Sequence, residues 1–108
     1  MNAEQKKLYR LLSGVIAAMA HPIRLAIIEF LEGGEQCVCD IARHVGAQRS
    51  NVSRHLSVLA NAGILEYRKE GLKIIYSLKT PCALNFMSCA AKVVRRQARE
   101  ATSVLAKK

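Results

Sequence analysis

The stretch "QRSNVSRHLSVLANAGILEYRKEGLKIIYSL" (Gln48–Leu78) decides the fold. Its first part sets Val52, Leu56, Leu59 and Ala60 at helical spacing, which predicts a helix over Arg49–Asn61 closed by "NAG" at Gly63. The second part is rich in β-branched and aromatic residues. Ile64, Tyr67, Ile74, Ile75 and Tyr76 predict strands over Ile64–Arg68 and Lys73–Leu78, joined by a turn at Glu70-Gly71. Arg68, Lys69 and Lys73 fall around the tip of that hairpin.

Upstream, a short helix is expected over Val38–Val45, with Gly46 as its stop. Two short helices joined by a tight glycine-containing turn form a helix-turn-helix pattern. Before it, "HP" (His21-Pro22) separates two longer segments, because the residue preceding proline avoids the helical region while proline suits a first helical turn. The segment from Pro22 carries Ile23, Ile27 and Leu31 on one face, and "EGGE" ends it with Gly33 expected as the left-handed cap. The segment Ala3–Ala20 carries Leu8, Leu11, Leu12, Val15, Ile16 and Met19 every three or four residues. Beyond Pro81, a last helix over Cys82–Ala106 aligns Met87, Ala90, Ala91, Val94, Ala98, Ala101 and Leu105 in one stripe. The fold class is therefore mainly α with a small β-hairpin, and all of 1–108 is expected to be one domain, without repeat or linker.

Lys and Arg number 17 against 8 Asp and Glu, a formal net charge of +9. That balance favours a polyanionic partner, nucleic acid before an anionic membrane, although charge also serves solubility. The N-terminal "MNAEQKKLYRLLSGVIAAMA" has the basic start, apolar stretch and Ala18-Met19-Ala20 end of a secretory signal. Its helical stripe argues against removal, and no apolar run approaches the roughly 18 residues of a membrane span. A cytoplasmic location without membrane contact is expected, where four cysteines serve as metal ligands or redox groups more often than as disulfides. With no second domain to form a pocket and no Cys–His pair at a recognisable spacing, the chain is not expected to be an enzyme.

With Val52 and Leu56 turned inward, the helix over Arg49–Asn61 leaves Gln48, Arg49, Ser50, Asn51, Ser53, Arg54 and His55 on other faces. Arginine can grip guanine O6 and N7 with two hydrogen bonds, asparagine or glutamine can do so with adenine, and serine suits phosphate. A helix so equipped fits the major groove of double-stranded DNA, with Arg68, Lys69 and Lys73 touching backbone or minor groove. Two alternatives stand beside this: a solvated polar face, and a charged hairpin tip that deters edge pairing. His55 has two readings, DNA contact or a packed, hydrogen-bonded imidazole, and His44 is expected on the surface.

"EQCVCD" (Glu35–Asp40) sets Cys37 just before the short helix and Cys39 in its first turn. Thiolates favour soft ions, and a helix N-terminus stabilises the thiolate. In a regular helix the i, i+2 spacing would point the sulfurs ~200° apart, but a non-helical lead-in lets them converge. Cys82 and Cys89 would share a helix face ~10.5 Å apart, too far to hold one ion together unless the helix starts after Cys82. The expected metal ligands are Cys37 and Cys39 joined by Cys82, Cys89 or both, from the same or a partner chain. Four small buried hydrophobes are the alternative.

The markers HPIR, CVCD, VSRHL, AGIL and the EG turn, spread over Ala20–Leu78, resemble the ArsR/SmtB family of bacterial metal- and metalloid-sensing repressors. The resemblance implies a winged helix-turn-helix homodimer, paired through its terminal helices, that sits on an inverted-repeat operator and leaves when inducer binds. CVCD resembles the family's thiolate motif, which implies As(III) or Sb(III) as inducer, with Cd(II) or Pb(II) as alternatives. Arsenic-responsive members often carry a third cysteine three residues after the second, where this chain has Ala42. No cysteine precedes Cys37 and no histidine follows His55, so the N-terminal thiolates of some cadmium sensors and the histidine-rich zinc site of other members have no counterpart. Some members instead answer persulfides or oxidants through a cysteine pair, for which Cys37 or Cys39 with Cys89 would serve.

Overall fold

The structure, a computed structural model, describes the backbone of residues 1–106 and side chains through residue 103. Leu105, expected on the stripe of the last helix, lies outside the described side chains. Helix α1 (Ala3–Met19) opens with a capping box: Asn2 Oδ1 accepts from the Gln5 amide at 2.8 Å and the Asn2 amide donates to Gln5 Oε1 at 3.0 Å. Helix α2 (Pro22–Phe30) starts with proline in its first turn and His21 as its cap, Nδ1 accepting from the Ile23 amide at 3.1 Å. A 3-10 turn, Leu31–Gly33, extends it. The positive φ that ends this segment therefore falls at Gly34 (127°) and not at the expected Gly33, which the extra turn absorbs.

Strand β1 (Gln36–Cys37), helix α3 (Val38–Val45), helix α4 (Arg49–Asn61), strands β2 (Leu65–Glu70) and β3 (Lys73–Leu78), and helix α5 (Cys82–Ala106) follow. The sheet is antiparallel in the order β1-β3-β2, a third strand more than the expected hairpin. Two residues are too few to show a period-2 pattern, and β1 is defined by its partner: Gln36 opposite Tyr76 and Cys37 opposite Ile75. The hairpin turn is Gly71-Leu72, between the paired Glu70 and Lys73, one residue later than expected. Positive φ at Gly71 alone (62°) makes it a primed turn with glycine in first place, whose twist matches the flanking strands.

One apolar core joins the elements: Ile27, Ile28 and Leu31 from α2, Ile41 from α3, Val52, Leu56 and Leu59 from α4, and Ile64, Leu65 and Tyr76 around the sheet. Of α1, only Ala18 and Met19 are buried. Leu8, Leu11 and Leu12 are 53%, 61% and 45% exposed, and Val15, Ile16, Phe86, Val93 and Val94 on the terminal helices are exposed as well. The stripe on α1 is real, but within one chain it reaches the core only at its end. The Cα radius of gyration is 17.2 Å. A compact chain of this length would have about 13 Å.

Candidate nucleic-acid interface and thiol sites

The turn between α3 and α4 is set by Gly46, left-handed at φ 68°, ψ 36°, with the Gly46 and Ala47 amides both donating to the Ala42 carbonyl at 3.0 and 3.2 Å. Ile41 and Ala42 on α3 face Val52, Leu56 and Leu59 on α4 within the core, so α4 is braced from behind. Gln48 caps α4 through its backbone, its carbonyl accepting from the Val52 amide at 3.0 Å, and its side chain is free of capping duty. Gln48, Arg49, Ser50, Asn51, Ser53 and Arg54 are all exposed. Among the described residues none of these side chains takes part in a hydrogen bond or ion pair of the kind that holds Arg43 to Asp40 at 3.2 Å. Such a face offers amide, hydroxyl and guanidinium groups to an outside partner at no internal cost.

His55 stands apart. It is half-buried, its Nδ1 accepts from Arg24 Nε at 3.1 Å, and its ring lies 4.4 Å from that of His21. Burial first, then electrostatic interaction with the basic neighbours His21 and Arg24, hold its pKa below the ordinary histidine value. The geometry is that of the packed, hydrogen-bonded reading. Arg24, which the sequence did not single out, is the residue that fixes it. His44 is exposed as expected and stacks on Phe30 with ring centroids 4.0 Å apart.

The hairpin forms a wing, but its three basic residues do not share one face. In the β2–β3 register Lys69 is opposite Ile74, whereas Arg68 is opposite Ile75 and Lys73 is opposite Glu70. Arg68 pairs with Glu35 and, at 3.1 Å, with Glu70. The hydrogen bonds it donates to those carboxylates, to Glu35 foremost, push its pKa above the usual arginine value. Its charge is thus locally balanced, while Lys69 and Lys73 make no ion pair among the described residues. The wing is anchored at its base by Tyr76, buried and lying 5.3 Å from the exposed Tyr67.

All four cysteines are free thiols: Cys37 buried, Cys39 half-buried, Cys82 and Cys89 exposed. Cys37 is extended (φ −78°, ψ 160°) and caps α3, as the sulfur-converging lead-in requires. α5 begins at Cys82 itself, so no late start brings Cys82 and Cys89 together. Within one chain, the described residues bring no three of His, Cys, Asp and Glu together as a metal site. An open groove of about 910 Å³ between α2, α3 and α5 is walled by Phe30, His44, Leu84, Met87 and Arg95, and none of the cysteines lines it.

A buttressed polar helix beside a wing defines a winged helix-turn-helix DNA-binding domain. Residues 21–67 match the family model described as bacterial regulatory protein, arsR family. The HTH-type transcriptional regulator Rv0081 of Mycobacterium tuberculosis is 33% identical over 103 residues, covering 94% of this chain and 90% of that one. Its crystal structure superposes with a TM-score of 0.76 at 32% identity, over 88% of this chain and 96% of that one. A cadmium resistance transcriptional regulatory protein CadC homolog from Staphylococcus aureus is 45% identical over 56 residues, 52% of this chain and 46% of its own. The arsenical resistance operon repressor of Staphylococcus xylosus is 33% identical over 70 residues, 65% of this chain and 67% of its own. The chain belongs to the ArsR family of DNA-binding transcriptional regulators.

Proposed function

We propose that the chain is a cytoplasmic, homodimeric repressor that reads double-stranded operator DNA with α4 and is released by a thiophilic metal(loid), As(III) or Sb(III) foremost. The observation that carries the DNA-reading part is the exposed, internally unengaged face of α4, from Gln48 to Arg54, set against a fully buried Val52–Leu56–Leu59 back. Lys69 and Lys73 supply wing contacts to the DNA backbone, with Arg68 contributing less because Glu35 and Glu70 compete for it. His55 serves from behind the face. The exposed leucines of α1 and the apolar residues of α5 support pairing of two chains through the terminal helices.

Cys37 and Cys39 are the core of the sensing site. No three-ligand group assembles within one chain among the described residues, which favours a third thiolate, Cys82 or Cys89, from the last helix of a partner chain. The regulators of cadmium and arsenical resistance among the relatives are in keeping with a soft ion as inducer, with Cd(II) or Pb(II) the alternative to As(III). Release is then a population shift: the ion binds the DNA-incompetent geometry more tightly, and by linkage DNA weakens ion binding by the same factor.

A second reading has one observation in its favour. The exposed Cys89 thiol is open to oxidants, so a Cys37 or Cys39 pairing with Cys89 would make a redox or persulfide sensor of the same fold. Titrating the protein–DNA complex with arsenite, cadmium and a persulfide donor separates the two. Release by arsenite without crosslinking supports the metalloid reading. Indifference to arsenite, with a disulfide found by mass spectrometry after oxidation, overturns it.

A further inference from the structure

Three basic side chains meet where α1, α2 and α4 join, with no carboxylate hydrogen-bonded to any of them among the described residues. Arg24 Nη1 donates to the Ala18 carbonyl at 3.2 Å, one of the last carbonyls of α1, which have no helical partner. Its Nε donates to His55 Nδ1 on α4 at 3.1 Å. His21 stands beside them, its own Nδ1 accepting the Ile23 amide, its ring tilted 42° to that of His55. One guanidinium thus ties the end of α1 and the reading helix to α2.

His55 accepts at Nδ1, which puts the proton of the neutral ring on Nε2. Protonating His55 at Nδ1 removes the acceptor that Arg24 uses. It also sets a second cation directly against the guanidinium and beside His21. The groups facing His55 are Arg24 from α2 and His21 at its N-cap; α1 offers the Ala18 carbonyl to Arg24, and neither helix presents a counter-anion in these contacts.

We propose that Arg24 is a positioning residue for DNA reading: it holds neutral His55, and so locks α4 against the α1–α2 corner, in a way that acid undoes. The proposal rests on α4 being the reading helix. Its sign is diagnostic. A histidine that touched phosphate directly would bind DNA better once protonated, whereas this lock predicts weaker binding. The lowered pKa of His55 agrees with that sign, since its surroundings disfavour the charged form.

The test uses the full chain and a duplex selected from a random-sequence pool by the wild-type protein at pH 7.5. Affinity is followed by fluorescence anisotropy at fixed salt from pH 8 to 5.5. Wild-type affinity is expected to fall severalfold between pH 8 and 5.5. In H55N the amide oxygen replaces Nδ1 as a pH-insensitive acceptor, so its profile should be flatter. R24K cannot make both hydrogen bonds and should lose roughly five- to tenfold at pH 7.5, the worth of about one such bond. Nitrogen chemical shifts of the wild-type imidazoles should show His55 protonated on Nε2 at pH 7.5. Wild-type binding that is unchanged or tighter in acid, R24K at full affinity, or a proton on Nδ1 overturns the lock. If the wild type selects no duplex at any pH, the DNA-reading assignment fails instead, and the nitrogen shifts still decide the hydrogen bond.

Discussion

Leu11 is 61% exposed in a single chain, on a helix whose apolar stripe meets the core only at its end, through Ala18 and Met19. Replacing it with alanine removes three carbons while keeping the best helix former in place, so α1 itself is not weakened. Each buried carbon of this kind stabilises by about 0.8 kcal/mol, and only the part still exposed in one chain is left for a partner to cover. That gives about 1.5 kcal/mol per chain, and twofold symmetry doubles it to about 3 kcal/mol. The dimer dissociation constant should rise by roughly two orders of magnitude, each factor of ten being about 1.4 kcal/mol. Sedimentation equilibrium over a wide concentration range reads this directly, and far-UV circular dichroism checks that helix content is kept. An unchanged dissociation constant for Leu11→Ala, or a wild type that stays monomeric at high concentration, refutes pairing through α1.

Arg54→Ala should weaken operator binding by roughly 5- to 100-fold, the range of a lost base contact, while Arg68→Ala costs less because Arg68 already spends its charge on Glu35 and Glu70. Anisotropy titrations of both variants on one duplex measure the difference, and equal losses would contradict it. Cys37→Ser should bind DNA normally yet stay bound when arsenite is added; normal release by that variant would remove Cys37 from the sensing site. His55 has its pKa lowered in the folded state, so the unfolded chain binds more protons. Its contribution to stability is full above about pH 6.5, the unfolded value, and is lost as pH falls through the folded one. Thermal melts should show this slope in the wild type and a smaller one in H55N.

Most of the fold was legible because each element carries its own punctuation. Pro22, Gly46, Gly63 and the Gly71 turn mark ends that the backbone respects, and the Val52–Leu56–Leu59 spacing announces the buried side of α4. What escaped is what depends on a distant partner. Strand β1 has only two residues and exists through Ile75 and Tyr76. The tie between Arg24 and His55 spans 31 residues, and nothing in "HPIR" reveals which side chain its arginine will meet. The wing lysines and arginine were grouped by sequence, yet strand alternation divides them between faces. The thiols were legible as a pair at Cys37 and Cys39, while the third ligand proposed for them depends on chain packing that local pattern does not encode.

Cys37 holds a place no other cysteine here shares. Its main chain pairs with β3 of the wing, its dihedral angles start α3, and the residue is buried. It works as a common rivet through two levers. A displacement of Cys37 is expected to reach both β3 and α3, because the same residue pairs with one and caps the other. On the proposed function, the wing and the helix-turn-helix are therefore coupled at one residue.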